Sequence, residues 1–69
     1  MAETFDWKDV HEVAYRLFEA DPETDPLGLR FTELHARICD LEGFVGDPKS
    51  SNEKILEAIL MAWVDERED

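Results

Sequence analysis

Carboxylates are the commonest groups in this chain that could do chemistry. Asp40, Glu42 and Asp47 fringe the glycine-broken stretch DLEGFVGD, and Asp21, Glu23 and Asp25 fringe an earlier acidic loop, DPETDPLGL. Clustered carboxylates suit hard or borderline cations such as calcium, magnesium, manganese or ferrous iron. No EF-hand spacing is present, and without imidazole or thiolate such sites bind weakly and with little selectivity. His11 and His35 are isolated from one another. His35 and Cys39 stand four apart, which places them on one helix face. Two ligands are not a zinc site, so this pair is expected to be a partly buried histidine beside a core cysteine. A glycine-rich phosphate cradle, a His-Glu-x-x-His helix and paired cysteines are all missing, so no catalytic constellation is expected.

The surface that carries these groups is strongly acidic: 18 acidic residues oppose 7 basic ones, for a formal net charge of -11. Nucleic-acid affinity comes largely from Lys and Arg displacing counterions, so this balance argues against nucleic acid and against anionic lipid, and favours basic proteins and cations. With 43% apolar residues in clear periodicity, the chain reads as a folded domain and not as an acidic disordered tail. A lone cysteine, no signal-peptide pattern and no apolar run of about 20 residues place it as a single domain, 1–69, in a reducing cytoplasm.

Three amphipathic helices must position these groups. Val10, Val13, Ala14, Leu17 and Phe18 recur at helical spacing, with Asp6 as the expected N-cap, Phe5 stapling against Val10, and a stop before Asp21-Pro22. Leu29 to Phe31 read as extended. Thr32 is the expected cap of a second helix carrying Leu34, Ile38 and Leu41, with Gly43 as terminator. Ser50-Ser51-Asn52-Glu53 matches a capping box ahead of Ile55, Leu56, Ile59, Leu60, Trp63 and Val64. Residues 65–69 are expected to fray. Two helices about a short turn over residues 32–60 suggest a helix-turn-helix pattern, but Glu53, Glu57, Asp65 and Glu66 on its last helix would repel phosphates.

The run FTELHARICDLEGF (31–44), then DPKSSNEKILEAIL (47–60) and WVDE (63–66), resembles the IscX family of small acidic proteins of bacterial iron-sulphur cluster assembly. The likeness extends upstream through Trp7, the Val13 to Phe18 helix and Asp25-Pro26, and so covers nearly the whole chain. It implies a mainly α, three-helix domain of modified winged-helix type with little strand content. It also implies a non-enzymatic adaptor or regulator that binds cysteine desulfurase and holds ferrous iron weakly through surface carboxylates. Family members usually carry a denser acidic run between the Phe and the Asp-Pro. Here that segment reads Phe44-Val45-Gly46-Asp47, with Gly43 where another acid is common. Asp40, Glu42 and Asp47 remain as the candidate metal ligands.

Asp40 and Glu42 are also expected to belong to a partner-facing acidic surface, with Asp9 and Glu12 on the first helix and Glu53 and Glu57 on the third as further partner-binding candidates. No tightly bound cofactor is expected, and the chain is expected to be a monomer. The alternative reading, from a different class, is a divalent-cation binding or buffering protein without a desulfurase partner; a third is a winged-helix module for some other basic protein.

Overall fold

The computed structural model describes residues 4–68. Three helices appear in order: α1 (Val10–Ala20), α2 (Phe31–Cys39) and α3 (Glu53–Glu68). Among the described residues the extended structure is limited to one parallel bridge, Phe5 with Phe44. The mainly α reading therefore holds.

Each helix buries the stripe that its spacing dictates. Val13, Ala14 and Leu17 of α1, Leu34 and Ile38 of α2, and Leu56, Ile59, Ala62 and Trp63 of α3 are buried in one cluster with Phe5 and Trp7. Buried polar or charged residues are absent from the described part of the chain. The indole Nε1 of Trp63, a fully buried residue, finds no acceptor among the described residues. Ile55 and Leu60 pack half-buried against this core, and Val64 is half-buried. α1 and α3 run side by side in the same sense, since Trp7 and Lys8, just ahead of α1, share a cleft with Ile55 while Asp25, just beyond α1, meets Arg67.

The helix starts differ from the expected caps in a consistent way. Asp6 does not cap α1: Asp9 takes that position, and Asp6 instead closes a turn ahead of it, accepting from the Lys8 backbone N–H at 2.9 Å while Asp9 Oδ2 accepts from the Asp6 N–H at 3.1 Å. Phe5 is then too far upstream for a staple and is held by its bridge to Phe44, with Phe5 N–H donating to Gly43 O and Val45 N–H to Phe5 O. α2 begins two residues early, after extended Arg30, so Phe31 is helical instead of extended and Thr32 lies inside the helix. Ser50 belongs to a short 3-10 turn, Pro48–Ser50, and the cap of α3 passes to Asn52, whose Oδ1 accepts from Ile55 N–H at 2.9 Å. Of the closing acidic run, Asp65 to Glu68 are helical instead of frayed, and Asp69 lies outside the described residues.

Two of the three Asp-Pro pairs, Asp25-Pro26 and Asp47-Pro48, build the same device. Asp25 accepts from Leu27 N–H and Asp47 from Lys49 N–H, and the following proline opens a single 3-10 turn. The proline ring presets the backbone and lacks the N–H that such a turn would leave unpaired. α2 stops at Cys39 with Asp40 as its C-cap, short of the expected terminator Gly43 and of Leu41; Gly43, at φ 91°, instead supplies the left-handed residue of the turn in which Phe44 N–H donates to Leu41 O.

Candidate functional site

The acidic loop after α2 is pinned by two aromatic side chains. Trp7 Nε1 donates to Asp47 O at 2.7 Å, and the two rings Trp7 and His35 stack with centroids 5.4 Å apart. His35 Nε2 lies 2.8 Å from Pro48 O, which requires the proton on Nε2. Its Nδ1 is then the acceptor facing Cys39 Sγ at 3.8 Å. Both ring nitrogens thus face a partner, and the pair is as its spacing suggested: a partly buried histidine beside a cysteine packed against the core. Burial, and then the neighbouring Asp40 charge, push the Cys39 thiol up from its ordinary pKa.

Gly46 completes the arrangement. A Cβ there would stand 2.6 Å from Phe44 Cζ and 2.9 Å from Trp7 Cδ1. The loop therefore presses its backbone onto the two rings, and Val45 is turned outward, 62% exposed.

Asp40, directly after α2, and Glu42, in the turn that follows, are exposed. Asp47 is exposed too, with one oxygen holding its own turn. Asp9 sits at the head of α1, while Glu53 and Glu57 occupy exposed positions one turn apart on α3. Glu12 differs from these: Arg16 Nε donates to it at 2.7 Å, and the Arg16 guanidinium also lies 5.3 Å from the Phe5 ring centroid. Its charge is largely answered within the chain.

Among the described residues no group of three or more His, Cys, Asp and Glu side chains is placed to hold a metal ion. Asp40, Glu42 and Asp47 thus share a loop region without forming a ready-made cage.

Periodicity could not announce two tertiary ion pairs. Arg37 Nη1 meets Asp21 Oδ2 at 3.3 Å, and Arg67 Nη1 meets Asp25 Oδ1 at 3.4 Å. Asp21 also accepts from the Thr24 hydroxyl, and this bond, with help from Arg37, holds its carboxyl below the usual range. Tyr15 donates its hydroxyl to Glu19, which pushes the phenol upward, with Glu12 and Glu66 adding smaller repulsions in the same direction. α1 and α3 thus present a shared acidic edge. A cleft of about 210 Å³, lined by Leu17, Ala20, Asp21, Arg37, Asp40 and Leu41, opens between the ends of α1 and α2.

Residues 5–68 match the model of a family described as iron-sulphur cluster assembly. The chain belongs to that family. Nearly every element described above, from the Phe5 bridge to the end of α3, lies within the matched span. An uncharacterized protein of Pseudomonas aeruginosa is similar at 45% identity over 62 residues, 90% of this chain and 94% of that protein. The family that the sequence resembles is therefore the one that the comparison returns. No described helix is long and apolar enough to cross a membrane.

Proposed function

We propose that the chain is a non-catalytic adaptor and regulator of iron-sulphur cluster assembly that docks through its acidic surface on a basic patch of cysteine desulfurase and weakly carries ferrous iron to it. The family match over residues 5–68, on a chain of net charge -11, is the observation that carries this reading. A field of that sign steers a basic partner at long range and rejects acidic ones. Exposed Asp9, Asp40, Glu42, Glu53 and Glu57 supply the contacts, whereas Glu12 is taken up by Arg16. Iron at Asp40, Glu42 and Asp47 would be exchangeable, as carboxylates that must first converge hold a cation loosely. In this reading the fold is a modified winged helix whose wing has shrunk to the Phe5–Phe44 bridge, and the protein works as a cytoplasmic monomer.

Anaerobic isothermal titration against the cysteine desulfurase of the same organism, with and without ferrous iron, tests the proposal. Micromolar or tighter binding is expected, and an iron-dependent change in affinity would couple the two activities. Binding of iron alone, with no desulfurase affinity in either condition, would replace the adaptor by a cation buffer. Affinity should fall as ionic strength rises through about 0.15 M, where the Debye length is about 8 Å. Asp40→Lys with Glu42→Lys should weaken it further, and unchanged binding by that double variant would move the interface elsewhere.

A further inference from the structure

We propose that the cleft between the C-terminal ends of α1 and α2 receives one lysine or arginine side chain of the basic partner. This rests on the adaptor reading and names where the partner's cation enters. The lining is apolar at Leu17, Ala20 and Leu41 and charged at Asp21, Arg37 and Asp40, so the carboxylates outnumber the one cation. That combination fits a long side chain with an aliphatic stem and a charged head. Asp21 is paired with the guanidinium of Arg37 at 3.3 Å, so the exposed carboxylate of Asp40, in the same lining, is the one left to take the partner's cation.

The backbone adds to the charge. Two helix C-termini meet at this cleft, each bearing a partial negative charge from carbonyls without helical partners. Asp21 N–H takes Leu17 O, and Asp40 N–H takes Ala36 O, which leaves further carbonyls of both last turns turned toward the end. No basic residue lies in the last turn of α1 to offset its dipole, whereas the last turn of α2 carries Arg37, so α1 contributes the larger share of the backbone charge. Another apolar cleft, lined by Phe31, Thr32, His35 and Leu56, has no carboxylate among the described residues of its lining to pair with a basic side chain.

Ala20 lines the cleft and is exposed, so Ala20→Trp fills it without changing charge. Affinity for the desulfurase of the same organism, measured by titration, should drop about tenfold or more, while Ala58→Trp, equal bulk on the exposed side of α3, leaves it unchanged. Binding by Ala20→Trp at the unaltered affinity overturns the inference while the adaptor reading stands. Should Ala20→Trp not fold, as judged by its thermal transition, Asp40→Asn decides: it should weaken binding severalfold more than Glu53→Gln, and an equal loss from both overturns the inference. If the unaltered chain does not bind the desulfurase, the adaptor reading fails separately, and a tetra-arginine peptide followed by amide chemical shifts settles the cleft. Saturable shifts centred on Ala20, Asp21, Asp40 and Leu41 that Ala20→Trp abolishes would uphold it; shifts spread over the whole acidic surface would overturn it.

Discussion

Replacing Gly46 with alanine puts a methyl group 2.6 Å from Phe44 Cζ and 2.9 Å from Trp7 Cδ1, closer than carbon atoms tolerate. Neither ring is free to yield. Phe44 lies edge-on to Trp7, with centroids 4.8 Å apart, and edge-on to Phe5 at 5.8 Å. Trp7 is 5% exposed, fixed by its bond to Asp47 O and stacked on His35. Overpacking of this kind costs about 1–3 kcal/mol. In a domain of this size a loss of about 2 kcal/mol lowers the melting temperature by about 8–16 °C.

Far-ultraviolet circular dichroism during thermal and urea unfolding measures the loss, and the other two glycines calibrate it. Gly28→Ala meets nothing within 4 Å and should be neutral or stabilising by up to about 1 kcal/mol through the unfolded chain. Gly43→Ala must bear φ 91° and should cost about 1–3 kcal/mol. If Gly46→Ala melts with the unaltered chain while Gly43→Ala does not, the loop is not pressed onto the rings and the pinning of Asp47 is wrong.

Trp7→Phe removes the donor to Asp47 O and should cost about 1–3 kcal/mol, with faster hydrogen exchange at Gly46 to Lys49 than in the helices; equal protection would refute the pinning. Ile59→Ala, at a fully buried position, should cost about 2–5 kcal/mol and leave the chain largely unfolded by circular dichroism at ambient temperature. Cys39 should react with a thiol-specific disulfide reagent more slowly folded than in urea, because its folded thiol keeps the proton to higher pH. The stabilisation linked to that proton is complete below the unfolded thiol's pKa and is lost as pH rises through the higher folded value; a Cys39→Ala variant whose stability falls as steeply in that alkaline window as the unaltered chain's would deny the linkage.

The three helices were legible because apolar spacing is a local property: Val13 and Leu17, Leu34 and Ile38, Ile59 and Trp63 are the residues the periodicity selected, and all are buried. The caps were displaced by a residue or a few because neighbouring polar residues compete for the same role. In Asp47-Pro-Lys-Ser-Ser-Asn52 the proline starts its own turn, which consumes Ser50 and leaves Asn52 to cap. The closing acidic run reads as frayed from charge alone; Arg67 reaches back 42 residues to Asp25, a contact with no local signature. The same holds for Phe5 with Phe44 and Trp7 with Asp47, which fix the loop across about the length of the two intervening helices. The acidic character of the site was legible, and the Glu12–Arg16 pair has the local i,i+4 signature, but the pairing of Asp21 with Arg37, which leaves Asp40 exposed beside it, required side-chain positions.

Those positions divide an evenly acidic sequence into unequal ends. The ends of α1 and α3, with the segment after α1, gather Glu19, Asp21, Glu23, Asp25, Asp65, Glu66 and Glu68, and the arginines there, Arg37 and Arg67, are bound to Asp21 and Asp25. Arg30, Lys49 and Lys54 lie instead near the starts of α2 and α3. Each helix end carries its own partial charge of matching sign, negative at the C-terminus, so backbone and side chains reinforce one another at the acidic end. A basic partner that comes within about a Debye length feels that dipole before any contact forms, and is turned toward the ends of α1 and α3. Charge reversal at Glu23 or Glu68 should therefore slow association with a basic partner more than reversal at Glu53, whose field Lys54 and Lys49 already weaken. Equal association rates for the three variants in low salt would mean that net charge alone, and not its arrangement by the fold, governs the encounter.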